Sequence, residues 1–265
     1  MLEAEQKETS GVLSTSRIPA IDFVRGLVII LMALDHASTY WNSGRVFGEF
    51  WYDFDMGFTA NVGLLQFLVR FISHWCAPTF IFLAGTSIAL SEARRLEKGD
   101  TQASITEHLI IRGGVLLVIE WTIIAWLFSA APLYFGVLAM IGVGIIIFAF
   151  ARHLKSSIII AFCLLMLLFP IIIQLITGSH PINSSIFFIS VIPVKDFPLW
   201  LRVALRQPQF PYGLYPLDPW LAVMALGFVF GRWLLKQQNL PDGNSRVVKR
   251  LAAAGTISIA AFFPL

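Results

Sequence analysis

The sequence predicts an all-α protein: a polytopic transmembrane helix bundle with six full spans and a truncated seventh. Three observations carry this. Of 265 residues, 57% are apolar and 13% charged, with mean hydropathy +0.76, more apolar surface than one water-soluble core can hide. The apolar residues fall in runs long enough to cross a hydrocarbon layer of about 30 Å. Lys and Arg gather at the ends of those runs, in alternating connections, where they set topology.

Residues 1–17 are polar and contain no apolar signal core, so they form a cytoplasmic N-terminus, and the first span inserts as an uncleaved signal. The remainder, 18–265, is one transmembrane domain. Its spans are expected near 21–40, 72–90, 109–129, 131–151, 156–177 and 219–235. A seventh run opens at Leu251 and stops at Leu265, short of the roughly 20 residues a spanning helix needs. Arg94, Arg95, Lys98 and Arg112 stand between spans two and three, Arg152 and Lys155 after span four, and Arg232, Lys236, Arg246, Lys249 and Arg250 after span six. The positive-inside rule makes these connections cytoplasmic and the N-terminus internal.

The outer connections, about 41–71 and 178–218, are rich in aromatics and proline. Trp41, Trp51, Tyr52, Trp200 and Tyr212 suit an interfacial belt, and Phe197–Arg206 has the spacing of a short interfacial helix. Asp218 and Pro219 read as N-cap and first residue of span six. The formal charge of +3 and pI near 9.0 come from span-end cations, with no basic patch interleaved with aromatics, so nucleic-acid binding is not expected. Cys76 and Cys163 lie inside apolar segments and read as buried structural thiols. No glycine-rich phosphate loop, Cys-x-x-Cys or His-x-x-x-His spacing occurs, and no metal site is expected.

The first span carries Asp22, Arg25, Asp35 and His36 within an otherwise apolar run. Each charge at the centre of a membrane helix costs roughly 2.5–3.5 kcal/mol on insertion scales, so such groups are paired, hydrated or used. Arg25 and His36 are eleven positions apart, which returns them to nearly one helix face about 16 Å apart along the axis. Asp22 joins that face within ion-pairing reach of Arg25, whereas Asp35 points elsewhere. With the N-terminus inside, Arg25 lies at the cytoplasmic boundary and His36 in the outer third of the membrane, level with His74. Glu120 lies deep in span three.

Four stretches follow one another in a specific order: Ile18–His36, His74–Ser87, Arg112–Glu120 and Tyr215–Arg232. Together they resemble bacterial membrane proteins related to the catalytic domain of heparan-alpha-glucosaminide N-acetyltransferase, within the wider superfamily of multi-spanning acyltransferases. The resemblance implies an acyltransferase-like domain over 18–265 in a bacterial inner membrane. It further implies acetyl-CoA as donor, an extracytoplasmic sugar-like acceptor, and Arg25 and His36 as residues associated with transfer.

Acyl transfer from a thioester needs a base near ambient pH to take the acceptor's proton, and histidine's pKa lies closest. His36 fits as that base, or as a nucleophile that carries the acyl group. Asp35, or a carboxylate from another helix, would orient the imidazole; Glu120 is a candidate partner for His36 or His74. Arg25 has the fork suited to a coenzyme A phosphate entering from the cytoplasm, with Asp22 and Arg112 grouped beside it as donor-contacting candidates. The blander readings stand next to these: an Asp22–Arg25 pair that only neutralises itself, His36 and Glu120 as interhelical ties, His74 as a packing residue. Pro78, Gly85 and Gly227 serve helix bending and close packing. The rival functions are a proton-coupled transporter, with the same charges as an ion relay, and a non-catalytic remnant. Acceptor identity, acyl chain and oligomeric state have no signature in the sequence.

Overall fold

The computed structural model describes residues 18–41, 69, 72–128, 135–177, 215, 217–238, 240 and 243–262. Among them every regular element is helical. Two helices, Ile72–Glu97 and Pro219–Gln238, are long and apolar enough to cross a membrane, while Val137–Ala151 and Ser156–Leu168 are apolar but shorter. Trp51, Tyr52, Trp200, Tyr212 and the Phe197–Arg206 stretch lie outside the described residues.

Helix α1, Pro19–Trp41, opens with a proline whose missing N–H has no helical partner in the first turn anyway, and with Asp22 near the positive helix end. α2, Cys76–Glu97, ends in a Schellman closure: Gly99, at φ 87°, lets its own amide and that of Asp100 return to the Leu96 and Arg95 carbonyls at 3.0 Å each. α3, Gln102–Ile119, starts at once, with the Thr101 hydroxyl accepting from the Ser104 amide at 3.2 Å. It runs into a π-helical turn, Glu120–Ile124, and a short α4, Ala125–Phe128. α5 (Val137–Ala151), α6 (Ser156–Thr177), α7 (Leu217–Gln238) and α8 (Gly243–Phe262) follow. α8 begins ahead of Leu251 and takes in Arg246, Lys249 and Arg250, since Lys and Arg are good helix formers.

α7 packs against α2 and α6, and more lightly against α5 and α8. The closest approach is α2 on α7. A Cβ on Gly85 would overlap the Met224 carbonyl, and one on Gly227 the Phe82 carbonyl; on Gly231 it would come 2.8 Å from the Thr86 carbonyl. Gly85 and Ala89 face Gly227 and Gly231 as matched small-residue stripes, the means by which membrane helices bring backbones together. The buried Thr86 hydroxyl lies 3.0 Å from both the Phe82 and Gly227 carbonyls. α3 meets α5 in the same manner, Gly113 against the Gly142 carbonyl. Ile81, Ile88, Met140, Ile145 and Phe228 fill the space between the two pairs.

Arginine fastens the pairs at one end. The buried Arg152, just after α5, donates to Glu92 Oε1 on α2 at 2.7 Å, to Gln102 Oε1 at 2.6 Å and Thr106 Oγ1 at 2.9 Å on α3, and to the Ala149 carbonyl at 3.1 Å. Arg232 on α7 donates to the Arg152 carbonyl and, at 2.8 Å, to that of Leu154, with its guanidinium over the Phe228 ring. α1 instead rests on α2. Its stripe of Phe23, Leu27, Ile30 and Leu34, recurring every three or four residues, is exposed, the face a lipid-contacting helix presents.

Candidate functional site

Asp22 and Arg25 share one face of α1, and that face meets α2. Arg25 Nη1 lies 3.4 Å from Asp22 Oδ1, while Nη2 donates to Ser87 Oγ at 2.6 Å. Ser87 Oγ donates its own proton to the Leu83 carbonyl at 2.6 Å, which fixes the hydroxyl as an acceptor for the guanidinium. Near the other end of α1, Asp35 is close enough to the first turn of α2 to act electrostatically on Cys76. These two pairings set an antiparallel register in which His36 and His74 lie level at the far end.

Arg25 opens into a cleft of about 730 Å³ bounded by α1, α2 and α3. It exists because α2 and α3, although joined by a tight turn, take their main packing partners elsewhere, α7 and α5 respectively. The wall carries five cations, Arg25, Arg94, Arg95, Lys98 and Arg112, against two carboxylates, Asp22 and Asp100. Arg95 is matched by Asp100 at 2.9 Å. Arg94 Nε donates to the Leu90 carbonyl of its own helix at 3.2 Å, which leaves its terminal nitrogens at the wall. Lys98 and Arg112 have no side-chain partner among the described residues, and Arg25 acts on Arg112 as a like charge. Five cations against two carboxylates leave the wall of this cleft net positive, a field that attracts anions.

His108, on α3 beside this cluster, is held below the ordinary imidazole range by burial, with Arg95 and Arg112 pushing the same way and Asp100 opposing.

His36 is exposed, its Nδ1 2.7 Å from the Met32 carbonyl. A carbonyl only accepts, so in the neutral ring Nδ1 carries the proton and Nε2 the lone pair. His74, also exposed, is helical and lies just ahead of α2, from which the turn residue Trp75 separates it. Glu120 is buried; its Oε2 accepts from the Leu138 amide at 3.1 Å, and the Gly136 and Ala139 amides also face the carboxylate. Its Oε1 is without a hydrogen bond among the described residues. Glu120 thus ties the π-helical turn to the N-terminus of α5 and is hydrogen-bonded to neither histidine. Among the described residues no group of three His, Cys, Asp or Glu is arranged to hold a metal.

The structure therefore brings Asp22, Arg25 and Arg112 to one cleft, sets His36 and His74 at one level, and leaves Glu120 apart. Ser87, Arg94, Arg95, Lys98 and Asp100 line the cleft without having been candidates from the sequence. Ser87 sits unmarked in an apolar helix, and the span-end cations looked sufficiently explained by topology.

The described residues make an all-α protein with two helices long and apolar enough to cross a membrane. The chain belongs to the family described as Heparan-alpha-glucosaminide N-acetyltransferase, catalytic, which it matches over residues 17–263. That agrees with the resemblance carried by its four ordered motifs. No curated protein and no solved structure matches it.

Proposed function

We propose that this protein moves an acetyl group from cytoplasmic acetyl-CoA to a sugar-like acceptor on the far side of a bacterial inner membrane. In this reading α1, α3 with α4, α5 and α6 cross the bilayer together with α2 and α7, six spans with the N-terminus inside. The single observation that carries it is the convergence of Arg25, Asp22 and Arg112 on one cationic cleft, at the end the positive-inside rule assigns to the cytoplasm, with His36 on the same helix face about 16 Å further out. Phosphates of the donor occupy the cleft and the pantetheine arm extends along α1 toward His36.

At that end the acceptor oxygen or nitrogen attacks the thioester carbonyl, His36 Nε2 takes the acceptor's proton, the C–S bond breaks, and the imidazolium returns that proton to the departing sulfur, so that the coenzyme leaves as a thiol. In the two-step form, Nε2 itself attacks the carbonyl, the C–S bond breaks and coenzyme A leaves as a thiolate that takes a proton from solvent; the acceptor then attacks the acetyl-imidazolium, the N–acetyl bond breaks to restore the imidazole, and the acceptor's proton passes to solvent. Asp35, His74 and Glu120 are supporting residues in this scheme: Asp35 and His74 by their level near His36, Glu120 by holding α5.

The purified full chain, given acetyl-CoA labelled in the acetyl group, is expected to release free coenzyme A and to transfer or retain label. His36→Ala is expected to abolish both, and Arg25→Gln to weaken donor binding. Retention of label without an acceptor selects the two-step form. Full activity in His36→Ala, or no consumption of acetyl-CoA with any amino sugar or sugar hydroxyl offered, overturns the assignment.

A further inference from the structure

Building on the reading of the cleft as the donor site, we propose that it has two tiers, and that the outer tier, Arg94 with Lys98, selects the donor by the 3′-phosphate on its ribose. Arg25 is held at Ser87, and Arg94 lies seven residues further along α2, about 10 Å closer to its C-terminal end. Lys98 follows one turn later. Measured along α2, the cations thus stand at successive levels of the cleft wall, Arg25 contributed by α1 and Arg112 by α3. Arg25 and Arg112 share the rung nearest the membrane interior.

Coenzyme A carries its phosphates in two places. The diphosphate joins the nucleotide to the pantetheine arm, and a separate monoester sits on the ribose. An arm that runs toward His36 must leave from the inner rung, so the diphosphate belongs with Arg25 and Arg112. The nucleotide end then points to the cleft mouth, with its monoester at the outer rung. A phosphate monoester carries about −1.5 to −2 charge at neutral pH and is the densest anion of the donor.

The outer rung is built to receive such a group. Asp100 occupies Arg95 at 2.9 Å, so that cation is already matched. Arg94 is anchored through Nε to the Leu90 carbonyl, which presents its terminal nitrogens as a prepared fork. Lys98 adds a second charge without a partner among the described residues. The competing account is that both only complement the C-terminal end of the α2 dipole and fix topology. On that account neither would distinguish a donor with the 3′-phosphate from one without it.

The test uses the full chain in nanodiscs and two donors, acetyl-CoA and acetyl-dephospho-CoA. The wild type is expected to show a KM roughly ten- to a hundredfold lower for acetyl-CoA, the range of one or two charge-assisted contacts. The Arg94→Gln/Lys98→Gln variant is expected to lose that preference by a rise in the KM for acetyl-CoA alone. Its KM for the dephospho donor stays within about twofold of wild type, which also reports that the variant is folded. Lys98→Gln alone, at an exposed helix end, is expected to lose part of the preference, and Arg112→Gln to weaken both donors alike. Equal KM values in the wild type, or a preference that survives in the double variant, overturn the two-tier assignment while transfer itself continues. If the wild type consumes neither donor, the donor-site reading falls, and this inference with it.

Discussion

Arg152 and Arg25 are both arginines at the ends of apolar helices, and the chain uses them in opposite ways. Arg152 is fully enclosed, and its Nε, Nη1 and Nη2 all donate, to groups on α2, α3 and α5. Nothing of it is left for a ligand. Arg25 has a serine on one side, a loose carboxylate on the other and an open cleft in front. A saturated guanidinium holds helices together, whereas one that faces a cavity with donors to spare is available to an anion. The glycines divide along the same line. Gly85 and Gly227 in the core pair touch backbone, while Gly26 on α1 has nothing within 4 Å of where a Cβ would be.

The largest effect expected from this contrast is on stability. Arg152→Gln leaves Glu92 without its partner in a mostly enclosed site, and removing one member of such a pair costs about 3–5 kcal/mol. Arg25→Gln removes a half-exposed contact and is expected to cost under about 1 kcal/mol while raising the KM for acetyl-CoA roughly tenfold. Thermal unfolding in detergent, run beside donor kinetics on both variants, checks the pair. If Arg25→Gln unfolds the protein as readily as Arg152→Gln, the two arginines are not the different devices they look.

Glycine substitution sharpens the comparison at a smaller scale. Gly227→Ala places a methyl group on the Phe82 carbonyl, and overpacking of this kind costs about 1–3 kcal/mol, more where backbone must yield. Gly26→Ala meets open space inside a helix and is expected to stabilise by about 0.5–1 kcal/mol. Opposite signs in the melting temperature would bear out α2–α7 as the rigid frame and α1 as the loosely seated helix. Equal losses would mean that α1 is packed against something at Gly26.

Much of this was legible in the sequence because it is local. The Asp22–Arg25 face follows from helical spacing, and the small-residue approach of α2 to α7 follows from glycines in apolar runs. What escaped was pairing across the bundle. Ser87 meets Arg25 across 62 positions and Arg152 meets Glu92 across 60, and no periodicity encodes such distances. Charge added a second difficulty: the positive-inside rule accounts for every cation at a span end equally well, so clasp, cleft and bystander looked alike. Glu120 shows the converse. Its burial was readable from the apolar run around it, but whether it faced a histidine or a set of amides depended on where the N-terminus of α5 falls. Hydropathy put that span at 131–151, whereas the helix itself begins at Val137.

The smallest expected effect concerns His108, which lies beside Arg95 and Arg112 of the cleft. Burial and the Arg95 and Arg112 charges hold it below the ordinary imidazole range, while in the unfolded chain it titrates near 6.5. Between those two values the unfolded state binds more protons than the native state, so native stability falls as pH drops below about 6.5. An anion in the cleft leaves the burial unchanged but offsets the arginine charges, and so moves His108 part of the way back toward its ordinary range. Donor binding should therefore take up a proton, and affinity should rise, within about threefold, as pH falls through that window. Titration calorimetry of acetyl-CoA in two buffers of different ionisation enthalpy measures the uptake directly. His108→Gln is expected to abolish both the uptake and the acid-side rise; if the variant keeps them, the proton goes to another group in the cleft.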